Sequence, residues 1–417
     1  MLSLAASAAV MAGGDIAPAT PVQTTAAPSS QFLIFDNIKV NGEIRPRWEY
    51  VDQDNKDETA NALTNRLQLG MRADLFQVPG LSVYLEGTNV IANADFFDTT
   101  SNDLADKGPY PVVADPAQSR VTQAYVDYKF GDTLIRAGRQ GVNLDNQRFV
   151  GTVNWRQMPQ TYDAVAVVNN SVENLSLLAA YVWQVNRIFD KESTPILDSK
   201  RGDQFDTNSV LLHASYTFMP ELKVTAYGYL LQDLHDTWGI AATGKFRIDN
   251  NTNINYRAEY AVQTDPTFDD VVANPTADAD YYNLEVGMFM NGFIAGAQYE
   301  VLGAGNDGNG PFSTPLATLH AHNGWADKFL TTPANGLVDM NVKLGYKAKG
   351  FGVAKVIYHD FSSDKGSTDY GTEWDVVYKN AIPGVKGLTG LLKGAFYSAD
   401  DYSVDTTKFW AMLDYKF

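Results

Sequence analysis

Apolar and polar side chains take turns at the end of this chain. Phe409, Ala411, Leu413, Tyr415 and Phe417 share one face, and Lys408, Asp414 and Lys416 the other, with Trp410 and Met412 between them. A period of two is the pattern of a strand with one oily and one wet side. It recurs far upstream. Ile38, Val40, Ile44, Trp48 and Tyr50 alternate with Lys39, Asn41, Glu43, Arg45, Arg47 and Glu49. Leu67, Leu69, Met71, Ala73 and Leu75 oppose Arg66, Gln68, Arg72 and Asp74, and Ala124, Val126, Tyr128 and Phe130 oppose Gln123, Tyr125, Asp127 and Lys129. Segments of this kind predict about eighteen strands, and the hairpin is the repeating unit.

The connections alternate in length. Short ones fall at 78–80, 131–132, 169–173, 219–221, 249–251, 291–292, 349–351 and 380–387, and long ones at 51–62, 92–119, 141–161, 187–207, 263–279 and 303–336. A soluble sandwich gives no reason for this asymmetry, whereas a barrel in a bilayer has short turns on one side and long loops on the other. The sequence has no apolar run of about 18 residues, the length a membrane-spanning helix needs. Mean hydropathy is −0.23 although aromatic residues make up 12% of the chain. The predicted fold is all-β: a transmembrane antiparallel barrel with long extracellular loops and short periplasmic turns. Tyr50, Tyr84, Tyr128, Tyr181, Tyr216, Phe218, Tyr282, Tyr346 and Phe417 lie near strand ends, where aromatic girdles form.

Residues 1–12 read as the remnant of a secretory signal peptide, residues 13–36, rich in Ala, Pro, Thr and Gln, as a flexible periplasmic leader, and residues 37–417 as one barrel. A formal charge of −17 speaks against nucleic acid as a partner. The chain has no cysteine, which excludes thiolate zinc sites, haem attached through CxxCH, and disulfides.

All thirteen arginines precede residue 258. By the alternation, Arg45, Arg47, Arg66, Arg72, Arg247 and Arg257 point away from the oily face, which in a barrel is toward the lumen. An Arg or Lys on the lipid face costs about 2–4 kcal/mol at the midplane, so the assignment has energetic force. Glu43, Asp74, Asp127 and Glu259 fall on the same side, together with Glu86, Glu285, Glu300 and Asp339. Arginines facing carboxylates set a transverse field that filters solutes by charge; the bland alternative is cross-strand ion pairing that stiffens the wall.

The stretch 137–165 departs from simple alternation. It carries Gly138-Arg139-Gln140, then a polar segment with Arg148, then Trp155-Arg156, Pro159 and Tyr162-Asp163-Ala164-Val165. This resembles the alginate-export-type family of outer-membrane porins. The resemblance implies an eighteen-strand barrel whose corresponding loop folds inward, with Arg139, Arg148 and Arg156 at a narrow charged constriction, Asp163 as a partner, and Trp155 and Pro159 bracing the loop. Ile135 and Ala137 read as lipid-facing, which turns Arg139 outward unless a bulge intervenes.

No Ser/His/Asp or metal motif surrounds His213, His235, His320, His322 or His359, which read as exposed loop histidines, and no enzymatic activity is expected. The segment 305–310 reads as turn chemistry, since it lacks the spaced acids of a calcium loop. No cofactor is expected and no metal ligands are assigned, with structural calcium among the outer-loop aspartates left open. The expected function is a passive outer-membrane channel, monomeric or homotrimeric, for small polar, anionic solutes, with outer-membrane lipid and lipopolysaccharide as surroundings. A plugged structural or adhesive barrel is the alternative, and a lipid-active barrel enzyme the third reading.

Overall fold

The computed structural model describes residues 33–98, 108–190, 203–268 and 277–417. The signal segment and most of the leader expected at 1–36 lie outside the described residues. In the first half the strands are β1 Phe35–Gln53, β2 Ala60–Leu75, β3 Leu81–Phe96, β4 Gln118–Phe130, β5 Thr133–Gln140, β6 Thr161–Asn169, β7 Leu175–Asn186, β8 Gln204–Met219 and β9 Leu222–Leu231. The second half comprises β10 His235–Arg247, β11 Thr252–Thr264, β12 Ala279–Met290, β13 Phe293–Leu302, β14 Leu337–Ala348, β15 Gly352–Ser362, β16 Asp369–Ala381, β17 Leu388–Ala399 and β18 Thr406–Lys416.

Each strand pairs antiparallel with its chain neighbours, and β1 pairs with β18, so the eighteen-stranded sheet closes on itself. Closure joins the first strand to the last, so the wall pairs its backbone within itself rather than with water, which is what a hydrocarbon environment demands. The seam is finished by the last residue. The Phe417 amide donates to the Gly42 carbonyl at 3.1 Å and Gly42 donates back at 2.9 Å. Gly42 has no side chain for a steric reason: a Cβ there would lie 2.5 Å from the Phe417 ring.

Burial runs opposite to that of a soluble protein. Val40 is 60% exposed and Leu344 67%, while Arg47 is 1% exposed and Arg66 0%. The oily positions of the alternation form the outer surface and the charged ones the interior, as the pattern predicted. The short-turn rim matches expectation. On the other rim the first loop is shorter than expected, because β1 and β2 extend to Gln53 and back from Ala60. The β9–β10 connection at 232–234 is also tight, with Leu234 donating to the Leu231 carbonyl at 3.1 Å. Most of the aromatics assigned to girdles are exposed, among them Tyr128, Tyr181, Tyr216, Tyr282 and Tyr346. Tyr84 corrects that assignment: it shares the inward face with Glu86, to whose carboxylate it donates at 2.8 Å.

Replacing Leu344 by Arg places a guanidinium on the lipid side of β14 and should destabilise the barrel by about 2–4 kcal/mol. Reversible urea unfolding in lipid vesicles measures this; an unchanged midpoint would mean that this face does not meet lipid.

Candidate functional site

Two long connections, 141–160 and 303–336, turn into the barrel and are held there by the charges of its inner wall. The wall contributes a row from β1 and β2. Arg45 pairs with Glu43 at 2.7 Å, and Arg66 pairs with the same carboxylate from the neighbouring strand. Nη1 of each of the three arginines reaches the inward loop, while the buried Nε of each has no partner among the described residues. Arg45 donates to the Asn154 carbonyl at 2.8 Å, Arg47 to the Trp155 carbonyl at 2.5 Å, and Arg66 to Asn154 Oδ1 at 2.8 Å. A loop that turns away from both strands and water leaves its carbonyls without partners, and this arginine row supplies them.

Arg156, on that loop, is the meeting point. It contacts Glu49 of the wall at 3.0 Å, Asp327 of loop 303–336 at 3.0 Å, and Asp115 of the 97–117 connection at 3.6 Å. Asp115 also binds Arg47 and accepts from the Gln157 amide at 2.6 Å. Three loops and the wall thus converge on one guanidinium. Burial would lower the Arg156 pKa, but Glu49, Asp115 and Asp327 outweigh it and raise it, so the charge is permanent.

The other end of loop 141–160 is tied across the barrel. Arg148 donates through Nε to Glu300 at 2.9 Å and through Nη2 to Asn323 of loop 303–336 at 2.9 Å. Tyr281 donates to the same Glu300 at 2.7 Å. Phe149 packs edge-on against Tyr281 and Phe312, so an apolar cluster backs the ion pair.

Loop 303–336 is clamped at Lys393 of β17. The ammonium lies 3.7 Å from the Trp325 ring centre and 4.2 Å from that of Trp155, and donates to His320 Nε2 at 2.7 Å. His320 is stacked on Trp155 at 4.7 Å and pairs through Nδ1 with Asp327 at 2.6 Å. Accepting from Lys393 on one nitrogen and donating to Asp327 from the other fixes the neutral ring in one tautomer. Burial drives the His320 pKa down to about 3, opposed in part by Asp327. Burial alone would raise the Asp327 carboxyl, but His320, Lys408 and Arg156 hold it well below its ordinary range. The loop backbone is satisfied at the same place: Ala326 donates to Glu373 at 2.8 Å and Trp325 to Asp375 at 3.2 Å. Gly324, at φ +81°, passes close enough that a Cβ would strike Glu373.

The other expected residues fall in different places. Asp127 receives Arg136 at 2.7 Å and Arg72 at 2.8 Å on the inner wall, and Arg257 pairs with Glu259 at 2.7 Å. Asp74 and Arg247 lie at the short-turn rim, where Asp74 accepts from Asn37 at 2.8 Å and Arg247 donates to Asn250 at 3.1 Å. Arg139 and Asp163 are corrected. They are directly opposed in the β5–β6 register, and no bulge separates Arg139 from the exposed Ala137 on its own strand. Both therefore face outward, away from the interior. The histidines are corrected too. His213, His235 and His359 sit on strands, and His235, His320 and His359 are buried. Among the described residues no cluster of His, Asp or Glu has the arrangement of a metal site.

Sequence reasoning missed the lysines. Lys343 and Lys347 share the inward face of β14 with Asp339 and Asn341, and Lys355 lies across from them on β15. Lys355 feels the charges of Lys343, Lys347 and Glu285, and Lys343 is ion-paired with Glu285. The signal was in the alternation: Lys343 and Lys347 are interleaved with Val342, Leu344 and Tyr346.

The alginate export family model matches residues 38–264. No curated protein matches the sequence. Similar solved structures are crystal structures of Pseudomonas aeruginosa proteins. OccK9 (OpdG) is 16% identical, with a TM-score of 0.71 over 91% of this chain and 98% of that one. OccK8 (OprE) is 14% identical, with a TM-score of 0.69 over 92% and 99%. OpdK with vanillate gives 14%, 0.69, 92% and 99%. At these identities the likeness carries the fold.

Two outcomes are expected from the clamp. Replacing Lys393 by Met keeps volume but removes the hydrogen bond and the cation–π contacts, the latter worth about 2 kcal/mol when desolvated; single-channel records should become noisier with larger open levels, and unaltered records would dismiss the clamp. The second concerns pH. A released loop binds a proton on His320 near pH 6.5, whereas the docked loop resists it down to about 3, so docking weakens as pH falls through that window. Tryptophan emission should shift over this range in the wild type and flatten in His320→Gln.

Proposed function

Since the chain belongs to the alginate export family, whose model spans more than half of it, we propose that it forms a passive outer-membrane channel for small anionic solutes. The constriction is the zone where loops 141–160 and 303–336 meet the β1–β2 wall, with Arg45, Arg47, Arg66, Arg148 and Arg156 facing Glu43, Glu49 and Glu300. Arg72 with Asp127 and Arg257 with Glu259 line the wall beside it. The observation that carries this reading is the docking of loop 141–160 on the inward arginines. A barrel that ties a loop across its own lumen with charged groups narrows the path and fixes the field along it.

Toward the short turns the inner wall carries Lys343, Lys347 and Lys355. These half-buried ammoniums supply the positive potential that draws an anion out of the constriction. OpdK, similar in fold, was solved with vanillate, a carboxylate, which agrees with an acid as the transported class. No covalent step is involved. Solute passes down its gradient, selected by width and by charge.

The density of ion pairs around Arg156 also favours a second reading, a barrel plugged at rest. Planar-bilayer recording separates the two, because a plugged barrel gives no steady open level.

Reversal potentials in a salt gradient should indicate anion preference. One charge about 4 Å from a passing ion in water is worth about 1 kcal/mol, or about fivefold in partition. The double replacement Lys343→Gln and Lys355→Gln should therefore cut the anion-to-cation permeability ratio by up to about fivefold per charge. A wild-type channel that prefers cations, or a double variant with the same ratio, would refute the anionic reading.

A further inference from the structure

Arg139 and Asp163 belong to the stretch that first set residues 137–165 apart, yet the lumen does not use them. They form a two-pronged ion pair on the outside of the barrel, with Nε to Oδ1 at 2.7 Å and Nη2 to Oδ2 at 2.9 Å. The remaining nitrogen, Nη1, donates to the carbonyl of Val121, itself an outward residue 47% exposed. The pair continues sideways. Asn186 donates to Asp163 at 2.9 Å, Gln184 accepts from Arg139 at 3.4 Å, and Gln184 donates to the exposed Asp206 at 2.8 Å. Tyr181 donates to Asn208 at 2.6 Å on the same face, and Asn89 to Ser119 at 2.6 Å further round.

This polar arc lies at the long-loop ends of β3 to β8, on the extracellular side. Its depth is marked by Tyr181 and Trp183, outward aromatics 46% and 39% exposed that belong to the level of the lipid headgroups. Just below it the outer wall is apolar, with Val165 and Val167. Charge on the outer wall is costly at the midplane and nearly free at the interface, so the arc sits where it is tolerated. Tolerance alone does not require a network that extends across four strands and ends in an exposed carboxylate.

We propose that this outward arc of β5–β8 binds the saccharide headgroup of an outer-leaflet glycolipid, with hydroxyls donating to Asp206 and Asp163 and a sugar ring lying against Trp183. The chemistry favours a sugar over a free phosphate. All three guanidinium nitrogens of Arg139 are already donating, and the outermost group of the arc is a carboxylate, so the arc takes the headgroup by its sugar hydroxyls and leaves the headgroup's phosphates turned away to solvent. A flat aromatic ring beside planar amide and carboxyl groups suits a polyhydroxylated ring, with one apolar face and a polar edge.

The test is native mass spectrometry of the detergent-purified full chain with three probes: lipopolysaccharide, lipid A and phosphatidylglycerol. The wild type should retain both saccharide lipids in preference to phosphatidylglycerol. The pair Gln184→Leu with Asp206→Leu should bind them about tenfold less, the effect of losing about one charged hydrogen bond. Arg139→Met with Asp163→Leu, should it fold, is expected to do the same. Because these residues lie outside the lumen, single-channel conductance of the first double variant should equal that of the wild type, which keeps this result separate from the channel reading. Equal retention by the Gln184/Asp206 variant overturns the proposal, and so does wild-type retention of phosphatidylglycerol as strong as that of lipid A. A wild-type dimer that the substitutions dissociate, with lipid retention unchanged, would give the surface to a second copy and likewise overturn it.

Discussion

Everything in this barrel follows from the ring of backbone hydrogen bonds that closes between β1 and β18. A membrane offers no water to unpaired amides, so the sheet must have no edge. Once it closes, each strand has only two directions for side chains, and their assignment is forced. Val40 and Leu344 point to lipid because the alternative is to place Arg47 or Lys343 there. The interior inherits the charges by exclusion, whether or not a solute needs them.

Those inward charges cannot stay idle, because they are buried and must find partners other than water. The chain resolves this by bringing its own loops inside. Arg45, Arg47 and Arg66 have more donors than Glu43 and Glu49 can accept, and part of the surplus goes to carbonyls of residues 154 and 155. A loop without secondary structure has the reverse shortage, of donors. The two needs match, which explains why an irregular segment can sit inside a barrel at all. Arg156 and Lys393 extend the logic to the second loop, and the indole rings of Trp155 and Trp325 remove water around the ammonium. The loops and wall are thereby coupled: displacing His320 uncovers Lys393, which in turn loosens Trp155 on the other loop.

The fold was legible because a two-residue period over eighteen segments leaves little choice, and turn length marked which rim was which. The inner wall was legible for the same reason at Arg45, Arg47 and Arg66. Arg139 shows where the reading divided. Its own strand, through Ile135 and Ala137, put it outward, while its place in a motif suggested the pore; local parity prevailed because no bulge broke the register. Tyr84 looked like a girdle residue by position along its strand, but its parity with Glu86 places it inside. The buried histidines were not legible, because their environment is made by loops whose path no period encodes. Gly324 passing Glu373, or His320 reaching Lys393, depends on contacts between residues more than forty positions apart.

The two kinds of cation in the lumen then do different physical work. An arginine pinned between carboxylates, as Arg66 is against Glu43, presents a dipole whose field falls off quickly, and much of its charge is already answered. Its contribution is to hold loop 141–160 on the wall. Lys343, Lys347 and Lys355 share one nearby carboxylate, Glu285, and lie where water reaches them, so they keep a net positive potential. On the channel function proposed above, width would be set by the arginine zone and sign by the lysine zone. An arginine row confined to residues before 258 is no obstacle to a basic passage, because β14 and β15 supply ammonium groups of their own on the inner wall.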